Sequence, residues 1–252
     1  MTDADITSHR EFLKDTLRLT IDFRRTDQNR GVEPPPLAKP ARAGQTPIPL
    51  PPTDEFAAFA GTDLIKAIAG RRSHRNYRNA PLSLAEVAFL LWATQGVRQV
   101  LDTGHALRTV PSAGCRHAFE SYLLASNVTG LEPGIYRYLP IEHALVLERT
   151  VAGMTTALVA ATLGQRFVAA APATFAWAAI PYRMEWRYGL AAHRVMLMDV
   201  GHICQNLYLA CAAIGAGTCA IAAYHQGQMD QLLGVDGTDE FTTYLAPVGK
   251  VY

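Results

Sequence analysis

The chain has 252 residues, 23 Lys plus Arg against 22 Asp plus Glu, a formal net charge of +1, 49% apolar residues and 9% aromatic. At this length roughly three quarters of the unfolded surface can be buried, in one large domain or two small ones, which excludes disorder and fibrous structure. The near-neutral balance also excludes the strongly basic footprint of a nucleic-acid binder.

Residues 4 to 26 read as an amphipathic helix, with Phe12, Leu13, Leu17, Leu19 and Ile21 set among charges. The same stretch mixes acids and bases instead of building an apolar run, so no secretory leader is expected. Between Gly31 and Thr53 stand eight of the fifteen prolines. That density forbids a helix or a central strand and predicts an extended strap, lying on its own protein or on a partner subunit. The expected organisation is helix plus strap over residues 1–61, then a globular body over residues 62–252.

The body opens with a short helix, about Asp63 to Ile68, ending at Gly70. A second helix starts at a capping box of Ser83 and Glu86, carries apolar positions at Leu84, Val87, Ala88 and Leu91, and closes at Gly96. Strands are expected at Glu120 to Ser126, Ile135 to Tyr138 and Leu145 to Glu148, then a helix around Thr155 to Leu163 and a strand from Ala173 to Ile180, stopped by Pro181. The longest helical pattern runs from about Ala191 to Ile214 and is followed by a strand (Cys219 to Ala223), a short helix (Gln228 to Leu233) and a last strand (Phe241 to Val248). Helices and strands interleave without a regular βαβ rhythm, which indicates an α+β fold with a mixed or largely antiparallel sheet.

The residues from Asn206 to Tyr224 carry no formal charge, but Gly215 and Gly217 interrupt them, so a buried helix and strand are expected there and no membrane span. Cys115, Cys204, Cys211 and Cys219 form no CxxC pair and no zinc spacing, and read as buried thiols in a reducing compartment. The expected setting is soluble and cytoplasmic.

Three places could carry chemistry. From Asp63 to Arg78 five bases (Lys66, Arg71, Arg72, Arg75, Arg78) face one acid. One Arg could answer a helix C-terminus, whereas three within five residues repel one another unless an anion such as a phosphate or carboxylate sits among them. Pro111-Ser112-Ala113-Gly114 is a small-residue turn before a strand, able to let a planar ligand approach the backbone. Gly217 and Thr218 lead into a third small-residue segment. No GxGxxG, GxxxxGK[ST], HExxH or GxSxG is present, so an anion would be held by side chains.

Together these places resemble the nitroreductase family of FMN-dependent oxidoreductases. Its R-R-S-x-R-x-[FY] signature stands here as Arg71-Arg72-Ser73-His74-Arg75-Asn76-Tyr77. The SagB-type branch, named for peptide azoline dehydrogenases, is matched further by Pro111 to His117, by Gly134 to Tyr138 with His143-Ala144-Leu145, by Asp199 to His202 with Gln205 to Ala210, and by Tyr244 to Lys250. The resemblance implies a domain-swapped-style homodimer with one FMN per subunit at the interface. It implies that Arg71, Arg72, Ser73 and Arg75 hold phosphate and ribityl chain, with Arg78 and Lys66 as solvated neighbours. Pro111, Ser112, Ala113 and Gly114 would lie on one side of the flavin ring, Ala222 and Ala223 on the other, and Lys250 would contribute from the closing strand. Asp199 and His202 would belong to the dimer core, His202 in a structural role capped by a carbonyl, and the N-terminal helix and strap would wrap the second subunit.

The implied activity is ping-pong hydride transfer through flavin N5, with NADH or NADPH as a possible donor, on a small-molecule or peptide substrate, without nucleic acid, membrane or metal. Two alternatives stand beside it: azoline dehydrogenation in peptide natural-product biosynthesis, and a non-catalytic flavin-binding protein. The branch carries a Lys-Tyr pair before the long helix where this chain has Arg187-Tyr188. Arg187 stays protonated and cannot be a general base. Tyr188 could act as an acid, donate a hydrogen bond or pack, and Arg187 could hold an anionic substrate or the partner subunit.

Overall fold

The computed structural model describes residues 3–252. Its elements in chain order are α1 (Asp3–Arg10), β1 (Ile48–Pro49), α2 (Leu64–Gly70), β2 (Leu82–Ser83), α3 (Leu84–Gln95), β3 (Val97–Asp102), β4 (His105–Arg108), β5 (Phe119–Ala125), β6 (Val128–Thr129), β7 (Gly134–Leu139), β8 (Ala144–Arg149), α4 (Met154–Ala161), β9 (Ala173–Ala179), α5 (Tyr182–Tyr188), α6 (Ala192–Ala213), β10 (Ala216–Thr218), α7 (Gln226–Leu233) and β11 (Phe241–Lys250). The fold is α+β. Seven strands form one antiparallel sheet in the order β1-β8-β7-β5-β9-β11-β10.

Strand alternation builds two cores. Phe119, Leu123, Phe175 and Trp177 face α3 and α6, while Tyr122, Leu124, Ala176 and Ala178 face α4 and α7. Helix α3 begins at the expected capping box, Ser83 Oγ accepting from Glu86 N–H and Glu86 accepting from Ser83 N–H. Asp63 caps α2 by accepting from Ile65 and Lys66 N–H.

The expected helix over residues 4 to 26 is confined to α1 and gives way to short 3₁₀ turns at Glu11–Leu13, Thr16–Thr20 and Phe23–Arg25. Two of its leucines find nothing to cover: Leu13 is 71% and Leu19 88% exposed. The ion pairs Glu11–Lys14 and Asp15–Arg18 instead favour the i, i+3 spacing of a 3₁₀ turn. The expected strand at Cys219 to Ala223 is replaced by β10, with Ile221 making one isolated bridge to Leu245. Beyond Thr218 the chain leaves the ladder because Ala220 N–H donates to the Tyr208 hydroxyl at 2.9 Å.

The strap lies on its own chain. Ile48 and Pro49 pair with Leu145 and Ala144 as an edge strand, where a proline is tolerated. Its carbonyls at Leu37, Lys39 and Pro40 accept from Arg108 and Arg137, and Lys39 N–H donates to Glu120. Glu120 also pairs with the buried Arg183 and Arg137. The β3–β4 hairpin and α5 had no counterpart in the sequence reading. The hairpin's first strand is largely exposed and does not alternate, and Pro181 marks the start of a one-residue-removed helix as well as the end of β9.

Candidate functional site

Two side-chain groups assemble against α6. The first is the cationic segment after α2. His74 N–H donates to Thr218 O at 2.9 Å and Arg78 N–H to Lys250 O at 2.8 Å, so residues 71–78 lie along β10 and the end of β11. Tyr77 is the buried anchor, its hydroxyl donating to His74 O and Pro247 O. Gly217 is required here: a Cβ on it would come within 2.6 Å of the His74 ring. Ser73 Oγ and Tyr208 Oη are 3.0 Å apart, and the Arg71 guanidinium carbon sits 5.3 Å from the Tyr208 ring centre. A cavity of about 130 Å³ opens between Lys66, Arg71, Arg72, Tyr208, Gly217 and Thr218.

Arg71, Arg72 and Arg75 are exposed, and none has an acidic partner among the described residues. Arg75 rests over the Phe167 ring at 5.8 Å. Partial burial and the charge of Arg72 depress the His74 pKa. Arg71 and Arg72 line the cavity together with Lys66 and Tyr208, whereas Arg75 lies over Phe167 and outside it; unneutralised cations around a space of that size suit an anion such as a phosphate. Lys250 stands apart from this set, its ammonium bonded to Glu86 and to Ile214 O.

The second group is the turn Pro111 to Gly114. Ala113 N–H donates to the Asp199 carboxylate at 3.3 Å, and Ser112 adds a side-chain hydrogen bond to the same carboxylate. Burial raises the Asp199 pKa. Gly114 has φ +60, and a Cβ on it would lie 2.6 Å from the Tyr188 hydroxyl and 2.8 Å from Arg187 Nε. The turn therefore packs directly on Arg187 and Tyr188, whose own side chains stack with the guanidinium carbon 5.5 Å from the ring. Behind them Arg116 donates to Arg183 O at 2.8 Å and lies 4.6 Å from the Trp186 ring, fixing α5.

Asp199 is thus a turn anchor inside its own chain. His202 is exposed, and no capping carbonyl holds it among the described residues. Ala222 and Ala223 are exposed between Ile221 and α7, with Ala223 O accepting from Gln165. Gly217 and Thr218 come from the third small-residue segment marked in the sequence, whereas Tyr208 is a site residue that its motif contained without marking. Tyr208 stands nine residues after Asp199, half a turn around α6 and about 13.5 Å along it. The two groups therefore occupy opposite faces of one helix within a protomer. No set of three or more metal-ligating side chains occurs among the described residues, and no helix there is long and apolar enough to cross a membrane.

A Methanocaldococcus jannaschii protein named for the nitroreductases is 36% identical over 182 residues, 71% of this chain and 87% of its own. A Ralstonia eutropha crystal structure, also named for the nitroreductases, aligns with a TM-score of 0.68 at 26% identity, covering 87% of this chain and 95% of that one. The NADPH:FMN oxidoreductase of Vibrio harveyi, complexed with NAD+, aligns at 0.53 with 15% identity over 75% of this chain and 69% of its own, a likeness of fold alone. The sequence profile of the nitroreductase family matches residues 68–250. With the arginine segment, the small-residue turn and six of the seven strands of the antiparallel sheet inside that span, this chain belongs to the nitroreductase family of oxidoreductases.

Proposed function

We propose that the chain is an FMN-dependent oxidoreductase that exchanges hydride between a nicotinamide donor and a small-molecule or peptide acceptor. The observation that carries it is the cavity walled by the unneutralised Arg71, Arg72 and Lys66 beside Tyr208, with Ser73 bonded to the same tyrosine hydroxyl, which suits a monoester phosphate. When bound, FMN supplies hydride acceptance and donation at N5, so ping-pong exchange requires no acid–base pair from the protein. The name of the Vibrio harveyi neighbour supports the choice of flavin and donor. Arg71, Arg72, Ser73 and Arg75 bind the phosphate end. The Pro111–Gly114 turn, held by Asp199, offers a backbone surface to the ring, and Arg187 and Tyr188 orient the substrate against that turn. Because Arg187 keeps its proton, azoline oxidation relying on a base at that position is not assigned.

The opposite placement of the two groups on α6 favours a homodimer, in which the arginine segment of one protomer meets the turn of a second copy. The exposed, uncharged face of α6 (Leu197, Met198, Gly201, Gln205) and the exposed Leu64, Ile65 and Ile68 of α2 suit that interface. Four free cysteines favour a reducing, cytoplasmic setting.

Titration with FMN and with riboflavin tests the assignment. Wild-type protein is expected to bind FMN with absorbance near ~450 nm and to prefer it over riboflavin by about a hundredfold, the preference shrinking in Arg71→Ala and Arg72→Ala. Equal affinity for the two flavins, or no flavin uptake, refutes it.

A further inference from the structure

A cavity of about 600 Å³ opens at the N-terminal end of α5, between that helix, the first turn of α6 and the loop that leads into β11. It shares no lining residue with the arginine cavity or with the Pro111–Gly114 turn. Ile180, Pro181 and the rings of Tyr182 and Phe241 form its apolar side. The Tyr182 ring is tethered, its hydroxyl donating to Asp27 at 2.9 Å. The polar side is made of Glu185, Asp239, His193 and Thr238, with no Lys or Arg among the lining residues.

The two carboxylates lack a guanidinium or ammonium partner. Glu185 has His193 Nε2 at 2.7 Å, across the junction of α5 and α6, and Asp239 has no side-chain partner among the described residues. The cations carried by the surrounding elements are committed elsewhere: Arg183 of α5 to Glu120, Arg194 of α6 to Asp15 and Leu13 O, and Lys250 of β11 to Glu86, while Arg187 lies against Gly114 and Tyr188. Asp239 is also held in place by its own loop. The Asp236 carboxylate accepts from the N–H of Thr238, Asp239 and Glu240 at 2.6, 2.7 and 3.1 Å, and Gly237 N–H donates to Glu240 O at 2.9 Å. Two acids on a flat surface would simply be solvated, whereas here they flank a concave space whose other walls are aromatic and aliphatic. Ring faces and carboxylates attract the same kind of group, a cation with an apolar stem.

We propose that this cavity binds an organic cation, an alkyl chain ending in a guanidinium or ammonium group, carried by a basic residue of a peptide or by a free alkylamine. Glu185 and Asp239 take the head, and Tyr182 and Phe241 flank the chain. Glu185 stands three residues before Tyr188, close to one turn of α5, so the bound cation touches the helix that carries Arg187 and Tyr188. Binding requires neither flavin nor the redox assignment.

The test titrates the full chain calorimetrically with butylguanidinium and with butylurea, which match in shape and differ in charge. The cation is expected to bind about tenfold more tightly than the urea. Asp239→Asn, which removes a carboxylate that no other side chain holds, is expected to narrow the preference about threefold, and adding Glu185→Gln to bring the two probes within about twofold of each other. Both are surface changes, and should the double variant melt at a lower temperature, Asp239→Asn alone decides. Equal affinities in wild type, a cation preference that survives the substitutions, or binding of neither probe overturns the proposal. N-acetyl-arginine N-methylamide separates the two sources: tighter binding than butylguanidinium supports a peptide residue, and weaker binding supports a free cation.

Discussion

His117, three residues beyond Gly114, ties the turn to β4 and gives a stability prediction with a definite sign. It is 3% exposed, holds φ +47, donates its backbone N–H to Ser112 Oγ at 3.0 Å and places Nε2 2.9 Å from Ala106 O on β4. A carbonyl acceptor requires a proton on Nε2, so the neutral ring carries Nδ1 bare. Burial, followed by the charge of Arg108, pushes its pKa from 6.5 to about 3. In the unfolded chain the ring takes up a proton near pH 6.5, and in the folded protein it does so only near pH 3. Its contribution is therefore complete above pH 6.5 and is lost as the pH falls toward 3, because the unfolded state binds more protons in that window. At ~1.4 kcal/mol per pH unit the loss is ~3 kcal/mol by pH ~4.5 and at most ~5 kcal/mol over the full window. His117→Gln keeps an N–H donor and cannot titrate. Urea unfolding at neutral pH and at pH ~4.5 should show wild type losing ~3 kcal/mol more than the variant between the two conditions, whatever their difference at neutral pH. Parallel losses would refute the claim that His117 is held neutral in the fold.

Two further substitutions address the two halves of the site. Gly114→Ala forces a side chain onto φ +60 and into the Tyr188 hydroxyl, 2.6 Å from the new Cβ. It should lower stability by ~1–3 kcal/mol in thermal melts and weaken flavin binding, and unchanged flavin affinity would show that the turn does not meet the ring. Tyr208→Phe removes the acceptor for Ala220 N–H and the partner of Ser73. A loss of ~1 kcal/mol is expected, with a weaker preference for FMN over riboflavin; a variant that keeps the full preference would separate Tyr208 from the phosphate site.

The parts legible in the sequence were those with a local cause. The capping box of Ser83 and Glu86 fixed the start of α3 because both partners lie within four residues. Arg71, Arg72 and Arg75 could be read as a receptor because like charges at that spacing have no intrahelical remedy. What escaped depended on distant partners. The exposed face of β3 carries no alternation, and only its pairing with β4 makes it a strand. Tyr208 looked like one more aromatic of a buried helix until Ser73, Arg71 and Ala220 converged on it from 135, 137 and 12 residues away. The N-terminal leucines failed in the opposite sense: their spacing was helical, but a helix survives in water mainly by burying such a face, and here the protomer offers nothing to bury it against.

The proline strap and the site are one physical unit. A proline-rich segment keeps its carbonyls but lacks many of the N–H donors that would let it join a ladder, so it can be held only by a surface rich in donors. Three buried guanidinium groups provide that surface: Arg116 approaches Pro35 O at 3.5 Å, Arg108 donates to Leu37 O at 2.7 Å, and Arg137 donates to Lys39 O and Pro40 O. Each also reaches an element of the site. Arg108 ends β4 three residues before Pro111, and Arg116, two residues beyond Gly114, ties α5 to the end of the turn. Arg137 shares Glu120 with Arg183 on α5. Trp186, next to Arg187, closes the circuit by donating to Val32 O at 2.9 Å. The guanidinium groups that would be ruinous if buried alone are thus satisfied in large part by strap carbonyls, and Arg108 Nε is their one buried nitrogen without a partner among the described residues. The strap therefore does more than cover an edge of the sheet: it permits an arginine-rich interior, and that interior holds α5 and the Pro111–Gly114 turn in place.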